Sequence, residues 1–208
     1  MRIVEPSVEI MTPLDGAAIL KHIEMCGRVC YKSEDRITED SAERFVRTLI
    51  KRGHESVLEH FDITVRFVCD RGVSHELVRA RIASYSQEST RYCNYGHNGE
   101  IAVIAPCRLS EGTVPYVVWE EACKQAEKAY MNLLAGGCKP EIARSVLPTC
   151  LKTEVCFTMN LRELRHFLRL RTSKAAHPDM RLLATTLLAR LKTEIPVVFE
   201  DIELEEWN

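Results

Sequence analysis

Residues Phe61 to Cys69 alternate, with Ile63, Val65, Phe67 and Cys69 on one face and Thr64, Arg66 and Val68 on the other, the period of a half-buried strand. Lys152 to Met159 repeats the pattern and predicts a second strand. Asn160, followed three residues later by Glu163, then reads as the N-cap of a helix that buries Leu161, Leu164, Phe167 and Leu168. Its other face carries Arg162, Arg165, His166 and Arg169, with Arg171 closing the last turn. At the start of the chain MRIVEPSVEI alternates like a strand, and a helix follows from about Leu14 to Arg28. A second helix has Asp40 as cap, Glu43 at the capping-box position, a stripe of Phe45, Val46, Leu49 and Ile50, and Gly53 as its stop.

Elsewhere the pattern is less regular. Asp70-Arg71-Gly72 predicts a turn, and Leu77, Val78 and Ile82 fit a short helix on which Arg79 and Arg81 lie about 200° apart and face different sides. The polar run from Ser84 to Arg91 reads as a loop, and Asn94 to Gly99 as a turn. Ile101 to Ala105 predicts a short buried strand, and Pro115 opens a helix to about Ala135 with Ala122, Ala126, Ala129, Tyr130 and Leu133 inward. Pro140 begins a short helix carrying Arg144, which Leu147-Pro148 breaks. Pro178 opens a last helix, Met180 to Leu191, and Pro196 ends it. Strands separated by helices, without repeat or linker, predict one α+β domain over 1–208, a mixed sheet flanked by helices.

Charge narrows the function. A formal net charge of −2 gives no global attraction to nucleic acid or membrane, so an anionic ligand must be recognised locally. No apolar run approaches the ~20 residues that span a bilayer, and the N-terminus lacks a signal peptide's apolar block, so a cytoplasmic protein is expected. Nine cysteines are an odd number with no C-x-x-C pair, which argues against a disulfide framework and against structural zinc. His54, Glu59 and His60 have the types of a metal triad, but polar groups satisfying loop backbone are the commoner reading, and no metal is expected.

The chemistry concentrates in His75 to Tyr92, HELVRARIASYSQESTRY. Arg79, Arg81 and Arg91 bracket Ser84, Ser86, Gln87, Ser89 and Thr90. Arginines supply fixed planar cations for phosphate, and hydroxyls and amides read the neutral edges of a bound molecule. On composition alone a salt-bridged surface competes evenly with such an anion site. The order R-x-R-x-x-S-x-x-x-x-S-x-R-Y, held by Arg79, Arg81, Ser84, Ser89, Arg91 and Tyr92, resembles the signature of flavin-dependent thymidylate synthases. GHESVLEH at Gly53 to His60, ARSVLP at Ala143 to Pro148 and MNLRELRHFLRLR at Met159 to Arg171 extend the resemblance over most of the chain in the family's order. Ala80 stands where the family usually has histidine, and Gln87 where some members carry glutamate.

The resemblance implies a homotetramer with active sites at subunit interfaces. It also implies conversion of dUMP to dTMP with methylenetetrahydrofolate as carbon donor, FAD as cofactor and NADPH as source of the hydride. Residue by residue it places Glu76, Leu77, Val78, Arg79, Gln87, Glu88, Ser89, Thr90, Arg91, Arg144 and Arg171 at the nucleotide. It places Ser56, Arg79, Ala80, Arg81, Gln87, Asn160, Leu161, Arg162 and His166 at the flavin, with Arg171 as the catalytic cation that activates the pyrimidine. A noncatalytic nucleotide sensor would keep the phosphate arginines and bind no flavin. A single-stranded RNA binder would need more aromatics among the basic residues than Tyr85, Tyr92 and Tyr95.

Overall fold

The computed structural model describes residues 1–204 and is α+β. Its two long strands, β3 (Asp62–Asp70) and β6 (Lys152–Asn160), bury Ile63, Val65, Phe67 and Cys69 on one and Thr153, Val155, Phe157 and Met159 on the other. Leu161 N–H donates to the Phe61 carbonyl at 2.9 Å at one end, and Arg71 N–H to the Leu151 carbonyl at 3.1 Å at the other, so the pair runs antiparallel. On the opposite face the Thr64 and Thr158 hydroxyls meet at 2.9 Å. With β2 (Ser7–Ile10) and β4 (Ser84–Gln87) they make a sheet of order β2-β3-β6-β4. MRIVEPSVEI is two strands rather than one. Pro6, which has no N–H to donate, separates β1 (Arg2–Ile3) from β2, and β1 pairs in parallel with β5 (Ala102–Val103).

The chain forms two compact units, one of Met1–Ser7, Phe67–Arg79 and Tyr85–Cys156, the other of Val8–Arg66, Ala80–Ser84 and the chain from Phe157 onward. In the first, Asp70-Arg71-Gly72 begins a helix instead of a plain turn: Asp70 accepts from Val73 N–H at 2.6 Å and caps α3 (Arg71–Leu77). This helix stops short of Ile82, so Arg79 and Arg81 are on connecting chain and the helical angle between them does not apply. Ser84 to Gln87, expected as a loop, is strand β4, and just beyond it Glu88 N–H bonds to the Glu154 carbonyl at 2.9 Å. Backbone pairing there overrides a polar side-chain pattern. The long α4 (Val114–Ala135), capped by Thr113, buries only Cys123 and Tyr130, while Ala122 is exposed. These two pack with Ile101, Val103, Ala143 and Leu151, the last two from α5 (Pro140–Ala143) and the approach to β6.

In the second unit Asp15 caps α1 (Gly16–Arg28), and α1 packs on α2 (Ser41–Lys51). Gly27 permits that approach, since a Cβ there would sit 2.8 Å from the Phe45 ring. Asp40 does not cap α2: its carboxylate accepts from the Thr38 hydroxyl, and Glu43 pairs with Arg47 rather than closing a capping box. The other end of α2 is as expected. Gly53, at φ +72°, donates to Ile50 and His54 N–H to Leu49, a Schellman closure that glycine adopts without steric cost.

Helix α6 (Leu161–Arg171) is capped by Asn160, whose side chain accepts from Glu163 N–H at 2.9 Å. It packs on α7 (Pro178–Glu194), which α8 (Pro196–Phe199) follows. Arg165, expected on the basic face opposite the buried one, is instead 0% exposed. Its guanidinium donates to Asp201 at 2.7 and 2.8 Å, to Glu55 at 3.1 Å and to the Val198 carbonyl. Acceptors from two segments, Glu55 on one and Val198 and Asp201 on the other, draw this cation inside, and none of them is near it in sequence.

Candidate active site

The nucleotide positions of the first unit gather around the exit of β4. Gln87 donates to the buried hydroxyls of Ser74 at 2.9 Å and Thr153 at 3.3 Å, which fixes its amide. Glu88 accepts from the Tyr95 hydroxyl at 2.9 Å and from Lys152 at 3.0 Å. Burial, reinforced by the Glu88 charge, raises the Tyr95 pKa, so this phenol remains a donor. The Ser89 carbonyl accepts from Tyr92 and Cys93 N–H at 3.2 and 2.8 Å, folding Ser89 to Arg91 into a tight turn. Arg144 donates to the buried Thr90 hydroxyl at 3.2 Å, and Arg91 pairs with Glu141 of α5 at 3.1 Å. Arg144 thus meets the hydroxyl-bearing turn that carries Arg91, 53 positions before it in sequence.

The exposed Arg91–Glu141 pair contributes under about 1 kcal/mol, so an incoming phosphate can displace it at little cost. Glu76 lies in the last turn of α3 and is half-buried, and Val78 and Arg79 follow it exposed. Leu77 is fully buried, and its carbonyl accepts from the Tyr85 hydroxyl at 2.9 Å. Its side chain is core, which leaves only main chain to meet a ligand.

The flavin positions of the second unit group around a cavity of about 500 Å³. Asn160, Arg162 and His166 line it together with Glu55, Glu59, Ile82, Glu163 and Arg169. Arg162, His166 and Arg169 project from one face of α6 at the i, i+4, i+7 spacing, and Arg162 donates to Glu59 at 2.5 Å. Ser56 is exposed in the 3-10 turn Glu55–His60, next to the lining residue Glu55. Half-buried Ala80 and exposed Arg81 lead into Ile82, which is 67% exposed and gives the cavity an apolar surface. Leu161 is core, with its N–H bonded to Phe61, so its side chain does not reach a ligand. Arg171 does not line the cavity. It is half-buried and lies about 180° around α6 from Arg162. Glu55 and Ile82 went unassigned from sequence, since a single acid and an isoleucine carry no ligand signal on their own, while Glu59 was weighed only in a metal triad and Arg169 only as part of the basic helix face.

A planar, hydrogen-bonding group fits this cavity. Arg162, Arg169 and His166 offer donors, Asn160 an amide edge and Ile82 a nonpolar contact, and the volume is within the range of small-ligand pockets. In this cavity the cations share the wall with the carboxylates of Glu55, Glu59 and Glu163, whereas the first cluster sets Arg91 and Arg144 at one hydroxyl-bearing turn. The family model described as "Thymidylate synthase complementing protein" matches residues 17–197. The flavin-dependent thymidylate synthase of Geobacter sulfurreducens is 35% identical over 88% of this chain and 85% of its own length. That of Mycolicibacterium vanbaalenii is 34% identical over 96% and 85%. The UMP/dUMP methylase PolB from Streptomyces cacaoi, solved bound with 5-Br dUMP, superposes with a TM-score of 0.79 at 26% identity, covering 96% of both chains. The chain belongs to the flavin-dependent thymidylate synthase family.

Proposed function

We propose that this chain carries out the reductive methylation of dUMP to dTMP, with methylenetetrahydrofolate as carbon donor and NADPH as reductant. In this reading it acts as a cytoplasmic homotetramer whose active sites form between subunits. The observation that carries the reading is the convergence of Arg144 on the Thr90 hydroxyl beside Arg91, an anion-binding turn in a chain of this family. Arg91 and Arg144 hold the nucleotide phosphate, and Ser89 and the fixed amide of Gln87 orient the nucleoside. Asn160, Arg162 and His166 hold FAD, which when bound supplies the hydride that reduces the transferred carbon. Arg171 stabilises negative charge on the pyrimidine ring and so makes its C5 nucleophilic without a cysteine. The purified protein, given dUMP, methylenetetrahydrofolate, NADPH and FAD, should form dTMP. Absence of dTMP from a preparation that binds both flavin and dUMP would overturn the assignment.

Three variants test the parts separately. Arg91→Ala and Arg144→Ala should each weaken dUMP binding, while deoxyuridine, which lacks the phosphate, loses less between wild type and variant. Equal losses for the two ligands in a titration would move these arginines off the phosphate. Ala80 cannot supply the hydrogen bond or stacking surface of the family's usual histidine. Ala80→His should therefore tighten FAD binding by about 1 kcal/mol, the size of one hydrogen bond. Unchanged or weaker affinity by fluorescence titration would count against a role for position 80 at the flavin.

A further inference from the structure

A second cavity among the described residues is larger than the one that gathers the flavin positions. It lies between α1, α2 and the connection joining them, measures about 720 Å³, and is lined by Arg28, Tyr31, Arg36, Arg44, Phe45 and Arg52 among others. No carboxylate is in its wall. The acid behind it is already committed: Glu24, 1% exposed, accepts from Arg28 at 3.0 and 2.6 Å and from the Ser41 hydroxyl at 2.7 Å. Arg28 in turn lies 4.4 Å over the Phe45 ring, so the floor is a fixed and neutralised platform.

Around that floor Arg36, Arg44 and Arg52 stand exposed, and among the described residues none of the three guanidiniums enters an ion pair within 4.0 Å. Glu43, next to Arg44 in sequence, pairs with Arg47, and the Asp40 carboxylate accepts from the Thr38 hydroxyl. Three cations converging on one concavity in a chain of net charge −2 repel one another, and an anion bearing more than one charge removes that repulsion. Guanidinium forks match phosphate oxygens two at a time. Tyr31, 83% exposed at the rim, presents an aromatic face to solvent, the kind of surface on which a base stacks. The volume suits a ligand of nucleotide size.

We propose that this cavity binds a nucleotide carrying at least two phosphate groups, with Arg36, Arg44 and Arg52 on the phosphates and Tyr31 against the base. As a seat for the phosphorylated end of the dinucleotide reductant it rests on the reading above, but the binding itself requires no turnover, so the two can fail separately. The probe is adenosine 2′,5′-bisphosphate, titrated calorimetrically into protein saturated with dUMP and FAD so that the other anion-binding positions are filled. Saturable binding is expected, with adenosine at least about tenfold weaker. Arg36→Ala combined with Arg52→Ala should weaken the bisphosphate at least about tenfold and leave adenosine unchanged, and Tyr31→Ala should weaken both ligands while Tyr31→Phe does not. Should the double variant fail to fold by circular dichroism, Arg44→Ala alone carries the test, with a smaller loss in the same direction. No saturable binding, equal affinity for adenosine, or arginine variants that bind the bisphosphate like wild type would each overturn the proposal.

Discussion

Arg171→Lys should leave folding and FAD binding nearly intact and lower dTMP formation at saturating dUMP by at least about tenfold, or ~1.4 kcal/mol of barrier. Arg171 closes the last turn of α6, where a cation of either kind interacts with the helix dipole by only ~0.3–1 kcal/mol. Lysine serves that purpose as well as arginine does. It does not serve an activator, because charge delocalised along a ring edge is matched by a planar guanidinium, whereas an ammonium is a mobile point charge. Flavin reduction by NADPH should change much less, since it needs no negative charge on the pyrimidine. Turnover at the wild-type rate in a variant that melts at the wild-type temperature would remove Arg171 from the chemistry.

Arg165→Ala should cost stability rather than chemistry, by about 3 kcal/mol or more in denaturant unfolding. The side chain is fully buried, and its loss leaves the Val198 carbonyl without this donor and Glu55 and Asp201 with Arg169 alone as their cation. Arg169 bonds to the same Asp201 at 2.9 Å but is 45% exposed, so Arg169→Ala should cost under about 1 kcal/mol. Equal effects of the two would mean that the buried Arg165 network adds nothing beyond an exposed ion pair. Acid titration supplies an independent readout. The Arg165 guanidinium holds the Asp201 carboxyl below its ordinary range, so the associated stability is present above the usual aspartate pKa and is lost as pH falls through the lowered value. In Arg165→Ala that part of the acid dependence should shrink to what Arg169 maintains.

The same arginine shows where sequence reasoning stops. Arg162, Arg165, His166 and Arg169 look like one solvated row, yet the acceptors that turn Arg165 inward come from positions 55, 198 and 201. Local signals fared better where the partner is local. Gly53 ends α2 by hydrogen bonds within five residues, Asn160 caps α6 three residues on, and the alternation of β3 needs no neighbour to be read. Strand β4 was missed because its polar side chains give no period, while its pairing is made by backbone. Asp40 was misread as a cap because Thr38, two residues back, competes for its carboxylate. The candidate site was legible through its motifs, which carried Ser89, Arg91 and Arg144. Without them nothing in spacing says that Arg144 meets Thr90.

The antiparallel register of β3 and β6 also limits which insertions and deletions the chain can absorb. Leu161 opposite Phe61 and Leu151 beside Arg71 fix the pairing at both ends, so deleting one residue inside β6 cannot be taken up by sliding. The residues beyond the deletion would change faces, Phe157 and Met159 would turn to the side of Thr64, and α6 would start about 100° out of phase. Arg162 and His166 would then swing away from the cavity they line, with no ligand-facing residue altered. Length variation that preserves activity should therefore fall outside these two strands, in connections such as the one between β5 and α4.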